Sequence, residues 1–359
     1  MADFGGWLMP IEYPTSSVAD GIAPQGGVIA EHHAVRERVG IFDVSHLGKI
    51  SISGDGALEF LNALLTNDLT AISDGQAQYS LLCDDSGGVI DDLIAYRISE
   101  REIFLIPNAS NCQKVFEAIV SRAPETISVV NRHLNFGVIA VQGPKSKELI
   151  EAIGISLPDS LDYMSFTNVS FKGSEIILCR TGYTGELGFE FVSPVEFDLT
   201  ENLWSALVAG LELFDGLVVG LGARDTLRTE MGYALHGHEL SREITPLQAG
   251  VGWAVAWRKE TFLGREALSK EKEAGLSKRS VALLAKDRTI PRAGMSVLSD
   301  GREVGVVTSG TFSPSLKKGI ALALITPGFP AGSSLTIDVR GRNGEYEVVK
   351  LPFVPSHVR

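Results

Sequence analysis

The sequence predicts an α+β chain that ends in a separate, all-β domain. Three observations carry this. Two strand–turn–strand–helix units occur, one over residues 79–120 and one over residues 175–210, which resemble split α+β halves. After Ser280 the pattern holds strands and turns only. Finally, 38 glycines in 359 residues exceed the usual ~7% and follow no Gly-x-y period, so they mark many turns and close backbone approaches. At roughly 100–200 residues per domain, the length predicts two or three domains.

The elements follow in order. Lys49–Ser53 alternates and stops at Gly54-Asp55-Gly56; Ala57–Thr66 then fits a helix with Leu58, Leu61 and Leu65 on one side. Tyr79–Cys83 and Val89–Arg97 read as strands joined by Asp84-Asp85-Ser86-Gly87-Gly88, whose Asp and Gly tolerate positive φ. Glu102–Pro107 is a third strand and Cys112–Val120 a helix with Val115 and Ile119 inward. The second unit places strands at Glu175–Arg180 and Gly188–Val192, a Gly-rich turn at Thr181–Glu186 and a helix at Pro194–Gly210. Gly222–Gly232 reads as a short helix that carries Arg224 and Arg228 on one face. Charged, Gly-containing Ser269–Lys278 reads as a linker. Beyond it, strands at Val281–Leu284, Ser296–Leu298, Gly305–Thr308, Ile320–Ile325 and Ser334–Val339 predict a small β-barrel or sandwich.

Composition excludes several classes. A net charge of −12 argues against a general nucleic-acid binder, which would show a basic footprint. Cys83, Cys112 and Cys179 are odd in number and lack CxxC spacing, which fits a reducing compartment and neither a disulfide scaffold nor a structural zinc site. The first residues show no basic and apolar leader pattern. The longest Gly-free apolar run, Ile320–Ile325, is far shorter than the ~18–20 residues of a membrane span. The expectation is a soluble cytoplasmic protein with no membrane and no nucleic acid among its partners.

Three constellations could carry chemistry. In Gly87–Ile94, adjacent Asp91 and Asp92 on a strand point to opposite faces. One can be solvated or capping while the other faces a cavity, where Ile90, Leu93 and Ile94 would raise its pKa or demand a cationic partner. The alternative is two surface carboxylates at a strand entry. In Thr181–Glu190, dense glycines let backbone approach a flat ligand. Glu186 and Glu190 would share a face on a continuous strand, and an inward Glu could accept two hydrogen bonds from a 2-aminopyrimidinone edge; a plain hairpin turn is the alternative. In Leu221–Glu230, Asp225 can reach Arg228 and Thr229 along a helix. Arg224, near the helix start where cations are disfavoured, would need a ligand or a carboxylate; an exposed, salt-bridged helix is the alternative. His32-His33 and His236-Gly237-His238 supply at most two ligands to one centre, and zinc needs three or four, so no metal is expected. No GxSxG, P-loop or strand–helix GxGxxG appears.

Ten segments then occur in order: Phe4–Pro10, Glu31-His32, Gly40–His46, Leu65–Asp68, Gly87–Ile94, Val141–Pro144, Gly182–Glu186, Gly222–Arg228, Thr308–Ser315 and Pro352–Val354. On these the chain, from about residue 3 to 355, resembles the aminomethyltransferases, the T-proteins of the glycine cleavage system. The resemblance implies three domains around a folate channel: two interleaved α+β domains, one of them ferredoxin-like, and a C-terminal β-barrel. The expected boundaries are 1–47, 128–190 and 238–267 for the first domain, 48–127 and 191–237 for the second, and 268–359 for the barrel. It implies transfer of a methylene group to tetrahydrofolate as cosubstrate. The group arrives as an aminomethyl on the lipoyl arm of a partner, the lipoylated H-protein; ammonia leaves and 5,10-methylenetetrahydrofolate forms.

By the same resemblance Asp92 is the catalytic carboxylate, orienting N5 and N10 and stabilising the cationic methylene. Glu190 and Arg224 match pterin-binding residues, and Tyr79 and Asn108 further folate contacts. Leu47 stands where many relatives have Met and would line the channel. Arg292 matches an Arg near the folate tail or the H-protein approach. Arg224, Arg228, Arg292, Lys317 and Lys318 would supply local positive charge for acidic partners. There are departures. The chain starts almost on Phe4–Pro10, where relatives carry fifteen to twenty earlier residues. Ser356-His357-Val358-Arg359 replaces an aromatic ending, so a family-type Tyr contact is not carried over. Related folate-fold classes are weighed on motifs. Lys259–Arg265 lacks the Cys of the iron–sulfur maintenance proteins. GxGxxG of the flavin-fused oxidases is missing. A folate-dependent demethylase shares the fold, and Asp91-Asp92-Leu93-Ile94 favours the T-protein reading.

Overall fold

A computed structural model describes residues 1–13 and 26–359. Two large sheets and a barrel organise the chain, with a two-stranded ribbon of Ala2–Phe4 and Trp7–Met9 at its start. A six-stranded sheet has the order Phe166–Phe171, Ser174–Cys179, Gly188–Pro194, Phe136–Gln142, Gly40–Asp43, Leu217–Val218, and a five-stranded sheet the order Gln76–Cys83, Val89–Ser99, Glu102–Pro107, Ile50–Gly54, Ile127–Asn131.

The period-2 alternation of these strands explains how the sheets stack. In Phe136–Gln142, Ile139 and Val141 pack under the helices Ser146–Ala152 and Leu199–Leu211, while Val138 and Ala140 face the other way. In Glu102–Pro107, Ile103 and Leu105 pack against the helices Ala57–Asn62 and Cys112–Val120, while Phe104 and Ile106 join Val138 and Ala140 in a shared core. The result is helices, sheet, sheet, helices. Helices Gly27–Glu37 and Leu221–Met231 close the shared layer through Val35, Ala223 and Leu227.

The C-terminal strands Arg279–Ala285, Ser296–Ser299, Arg302–Ser313, Lys318–Ile325, Ser334–Val339 and Arg342–Val349 form a closed six-stranded barrel around Leu283, Val297, Ala323, Ile337 and Tyr346. The strand Arg302–Ser313 packs on helix Leu221–Met231. Among the described residues no helix is long and apolar enough to cross a membrane.

The sheets divide the chain at places other than the expected domain boundaries. Residues 191–237, expected beside the 48–127 unit, supply the helix Leu199–Leu211 and the strand Leu217–Val218 to the six-stranded sheet, because the helix that follows the strand ending at Pro194 packs back on its own sheet. Residues 238–267, expected with the first domain, pack Leu240, Ala249, Ala254, Val255 and Phe262 onto Leu81, Cys83 and Val89 of the five-stranded sheet. Strand Ile127–Asn131 likewise pairs with Ile50–Gly54.

Local expectations were corrected in four places. The linker over 269–278 is mostly the helix Arg265–Ala274, stabilised on its solvent face by Lys270 bonding Glu266 at 2.6 Å. The helix at 57–66 stops at Asn62, where Lys259 donates to the carbonyls of Asn62, Leu65 and Asn67. The helix expected from Pro194 starts at Leu199, after left-handed Phe197 and Asp198. The strand expected at Gly305–Thr308 is the longer Arg302–Ser313.

Candidate active site

The site is built in the layer between the two sheets. Pairing of Tyr79 with Ile94, and the alternation Asp92, Ile94, Tyr96, put Tyr79 and Asp92 on the face that looks toward the six-stranded sheet. Glu190 pairs with Ala140 and Cys179, both in the shared core, so it looks back toward the five-stranded sheet.

Two glycines make room for this. A Cβ on Gly88 would lie 1.9 Å from the Arg242 carbonyl oxygen, and one on Gly185, which has φ +81°, 2.0 Å from Met231 Sδ. Gly88 lets the strand start against Ser241, whose carbonyl accepts the Val89 N–H.

Asp92 is half-buried. Its Oδ2 accepts the Tyr79 hydroxyl at 3.1 Å, and its Oδ1 and carbonyl accept Asn108 Nδ2 at 2.9 and 3.1 Å. Burial pushes the Asp92 carboxyl up, opposed by the hydrogen bonds from Tyr79 and Asn108. Burial and then the Asp92 charge push the Tyr79 phenol far above its usual value, so it remains a donor. Asp91 is fully buried and points to the helix layer. Of the two roles expected for the rear carboxylate, solvated or capping, Asp91 is not solvated but does accept the Asn108 backbone N–H, and the surface alternative does not hold. Asn108, following Pro107 at the end of the partner strand, bonds both carboxylates.

At the other wall, burial raises the Glu190 carboxyl; Thr181, which donates to Oε2, and the charge of Arg224 oppose it. Glu186 does not share its face. The strand begins only at Gly188, and Glu186 turns away to Arg36 at 3.0 Å and to His357 at 2.9 Å. Arg224 lies with its guanidinium 4.5 Å from the Tyr183 ring centroid. Among the described residues it makes no salt bridge, and burial lowers its pKa, opposed by Tyr183 and Glu190. Tyr183 joins the two walls: burial raises its phenol, the charges of Arg228 and Arg224 oppose this, and Asp92 adds to it.

Arg228 has the opposite fate. It is 1% exposed, paired with Asp225 at 2.7 Å and Glu239 at 3.0 Å, and it donates to Ser309 of the barrel. It therefore offers no charge to an acidic partner, against the expectation. Leu47 is half-buried beside Phe42 and Phe104. Arg292 is exposed in the barrel, bonding the carbonyls of Pro291 and Gly310, and lines an open cavity of about 370 Å³ with Arg288, Arg340 and Arg342. No hydrogen bond or ion pair among the described residues joins it to the other six predicted site residues. Lys317 and Lys318 are exposed.

Several residues escaped the sequence reading. Trp253, 69% exposed, stacks on Tyr79 at 5.3 Å. His46 is buried edge-on to Phe4 with neither ring nitrogen bonded among the described residues. Burial, then Arg224, Lys49 and His133, push it down to about 3, so it is a neutral imidazole. Asn111 stands behind Asp91, and His236, weighed above only as a metal ligand, stands behind Asn111. Only proximity in space links these residues, and no sequence spacing signals it. Among the described residues no group of three or more His, Cys, Asp or Glu could hold a metal ion.

Comparison with known proteins adds the family. Residues 1–259 match the GCVT N-terminal domain and residues 278–355 the glycine cleavage T-protein C-terminal barrel domain. The chain belongs to the glycine cleavage T-protein family. An aminomethyltransferase of Frankia alni is 53% identical over 100% of this chain and 95% of its own length, and one of Mycobacterium avium 50% identical over 100% and 94%. The crystal structure of the glycine cleavage system aminomethyltransferase T from Bartonella henselae superposes with a TM-score of 0.89 at 32% identity, covering 99% of this chain and 94% of that one. As a T-protein family member the chain is a tetrahydrofolate-dependent aminomethyltransferase.

Proposed function

We propose that this T-protein takes the aminomethyl group from the lipoyl arm of H-protein and delivers its methylene to N5 and N10 of tetrahydrofolate. In the balanced reaction the S–C and C–NH2 bonds break and two N–C bonds form. The two protons leaving the folate nitrogens end on the lipoyl sulfur and on the departing ammonia. The observation that carries this reading is the Asp92 carboxylate, held by Tyr79 and Asn108 in the layer that Glu190 and Arg224 also face.

The protein's own groups fit a folate. Glu190 keeps one carboxylate oxygen without a partner among the described residues, ready for a 2-amino/N3 edge. Arg224 has no counter-ion among the described residues and can donate to an acceptor on the same ring. Asp92 is fixed on one side by two donors, so its charge is in place before positive charge develops at the methylene. Trp253 and Tyr79 form an aromatic wall beside it. Leu47 would line the channel, and Arg292 would meet the folate tail or the incoming H-protein.

The test mixes purified protein with aminomethylated H-protein and tetrahydrofolate and measures ammonia. Release well above the folate-free control is expected; none would overturn the reading. Asp92→Asn should lower turnover by about 10²-fold or more while folate still binds by calorimetry. Unchanged turnover would remove Asp92 from its role.

A further inference from the structure

One buried charge is left without work by this mechanism. Asp91 is 0% exposed, and three N–H donors are arranged to hold it. Its Oδ2 accepts the Asn108 backbone N–H at 2.8 Å. Its Oδ1 accepts Asn108 Nδ2 at 3.0 Å and Asn111 Nδ2 at 2.8 Å. The second proton of the Asn111 amide points to His236 Nδ1 at 2.9 Å, and His236 Nε2 lies 3.1 Å from the Val89 carbonyl oxygen. A carbonyl can only accept, so Nε2 carries the ring proton and Nδ1 is the acceptor. One neutral tautomer thus satisfies the whole chain from Val89 through His236, Asn111, Asp91 and Asn108 to Asp92.

The charge is costly where it lies. Burial and then the Asp92 charge push the Asp91 carboxyl well above its usual range, against the bonds from Asn111 and Asn108 that favour the anion. Three N–H donors on its two oxygens describe a site built for a carboxylate anion. The other ionisable groups facing Asp91 are Asp92 on its own strand, Cys112 and Tyr79, with Lys114 beyond Asn111; Asp92 also faces Tyr79, Tyr183 and His236.

We infer that Asp91 is a positioning residue for the transfer. Through the shared Asn108 amide it fixes the Asp92 carboxylate and keeps a second negative charge behind it, and Asn111 and His236 hold that arrangement. The inference rests on the reading that ionised Asp92 serves the transfer. Two negative charges on one amide reinforce each other's pull on a developing cation, at the cost of a proton affinity that belongs to the pair.

The experiment follows ammonia release against pH, with folate KM and kcat separated. Asp91→Asn removes the rear charge. The acid limb of kcat should then move down by about one pH unit. Turnover near neutrality should fall on the order of tenfold, with folate KM within about twofold. An acid limb that stays in place overturns the inference, whatever happens to kcat, because a merely structural residue would lower activity without moving it. His236→Phe provides the second arm should Asp91→Asn not fold. It withdraws the acceptor from the Asn111 amide, loosens one donor on Asp91, and should move the limb to higher pH. His236→Asn, which restores an acceptor, should bring it back. No movement in His236→Phe also overturns the proposal. Failure of the underlying reading is seen separately, as full turnover in Asp92→Asn.

Discussion

Arg224 and Arg228 stand one turn apart on the same helix, and the fold treats them in opposite ways. Arg228 is enclosed by Asp225, Glu239 and Ser309. Arg224, nearer the helix start where a cation is least welcome, rests on an aromatic face with no counter-ion among the described residues. The helix end continues the first pattern. Glu230, fully buried, accepts from Arg36 at 2.8 Å, from Ser315 at 2.9 Å and from Ser313. A fully paired buried charge holds elements together, and an unpaired one is free to meet a ligand. The difference separates scaffold from site within a single helix.

Three substitutions sharpen or break that contrast, from the largest effect to the smallest. Arg228→Ala leaves Glu239 buried and unpaired, so stability should fall by about 3–5 kcal/mol in denaturant unfolding. A loss under about 1 kcal/mol would mean the pair is not structural. Glu230→Gln comes next, at about 2–3 kcal/mol near neutrality. Burial pushes the Glu230 carboxyl up, but the bonds from His32, Arg36 and Ser313 outweigh it and hold it at about 2, below its ordinary 4.5. Burial pushes His32 itself down, so at neutral pH the holding charge is that of Arg36. Since the folded value lies below the unfolded one, the stabilisation is full above about pH 4.5 and is lost as pH falls toward 2. The variant should lack that part of the acid slope; an identical slope would argue against the network. Arg224→Ala should leave stability unchanged or higher, within about 0.5 kcal/mol, and weaken tetrahydrofolate binding roughly 10- to 100-fold in calorimetry. Equal affinity would take Arg224 out of the ligand site.

Much of the fold could be read from the chain where local pattern and final packing agree. Glu102–Pro107 and Cys112–Val120 have the bounds their periodicity predicts, and the strand-only region after Ser280 closes into a barrel. The last barrel strand, Arg342–Val349, went unread because Gly344 and flanking charges blur its alternation; only Tyr346 and Val348 reach the core. The candidate site was legible as single residues but not as an assembly. Alternation put Asp91 and Asp92 on opposite faces, yet nothing local says that Asn108 reaches both or that His236, 125 residues from Asn111, closes the chain behind them. Glu186 and Glu190 would pair on a continuous strand, but the strand begins only at Gly188 and Glu186 lies in the bend before it.

The barrel contacts carry one more consequence. Ser309 bonds Arg228, and Ser313 and Ser315 bond Glu230, so three hydroxyls of the C-terminal unit complete the polar shell of a helix that belongs to the N-terminal one. Two sequence modules thus share one set of buried bonds. A chain cut between them would keep every residue proposed here to touch the pterin and still expose the underside of the helix that presents Arg224. The two modules are therefore interdependent halves of one cooperative unit, each the other's solvent shield.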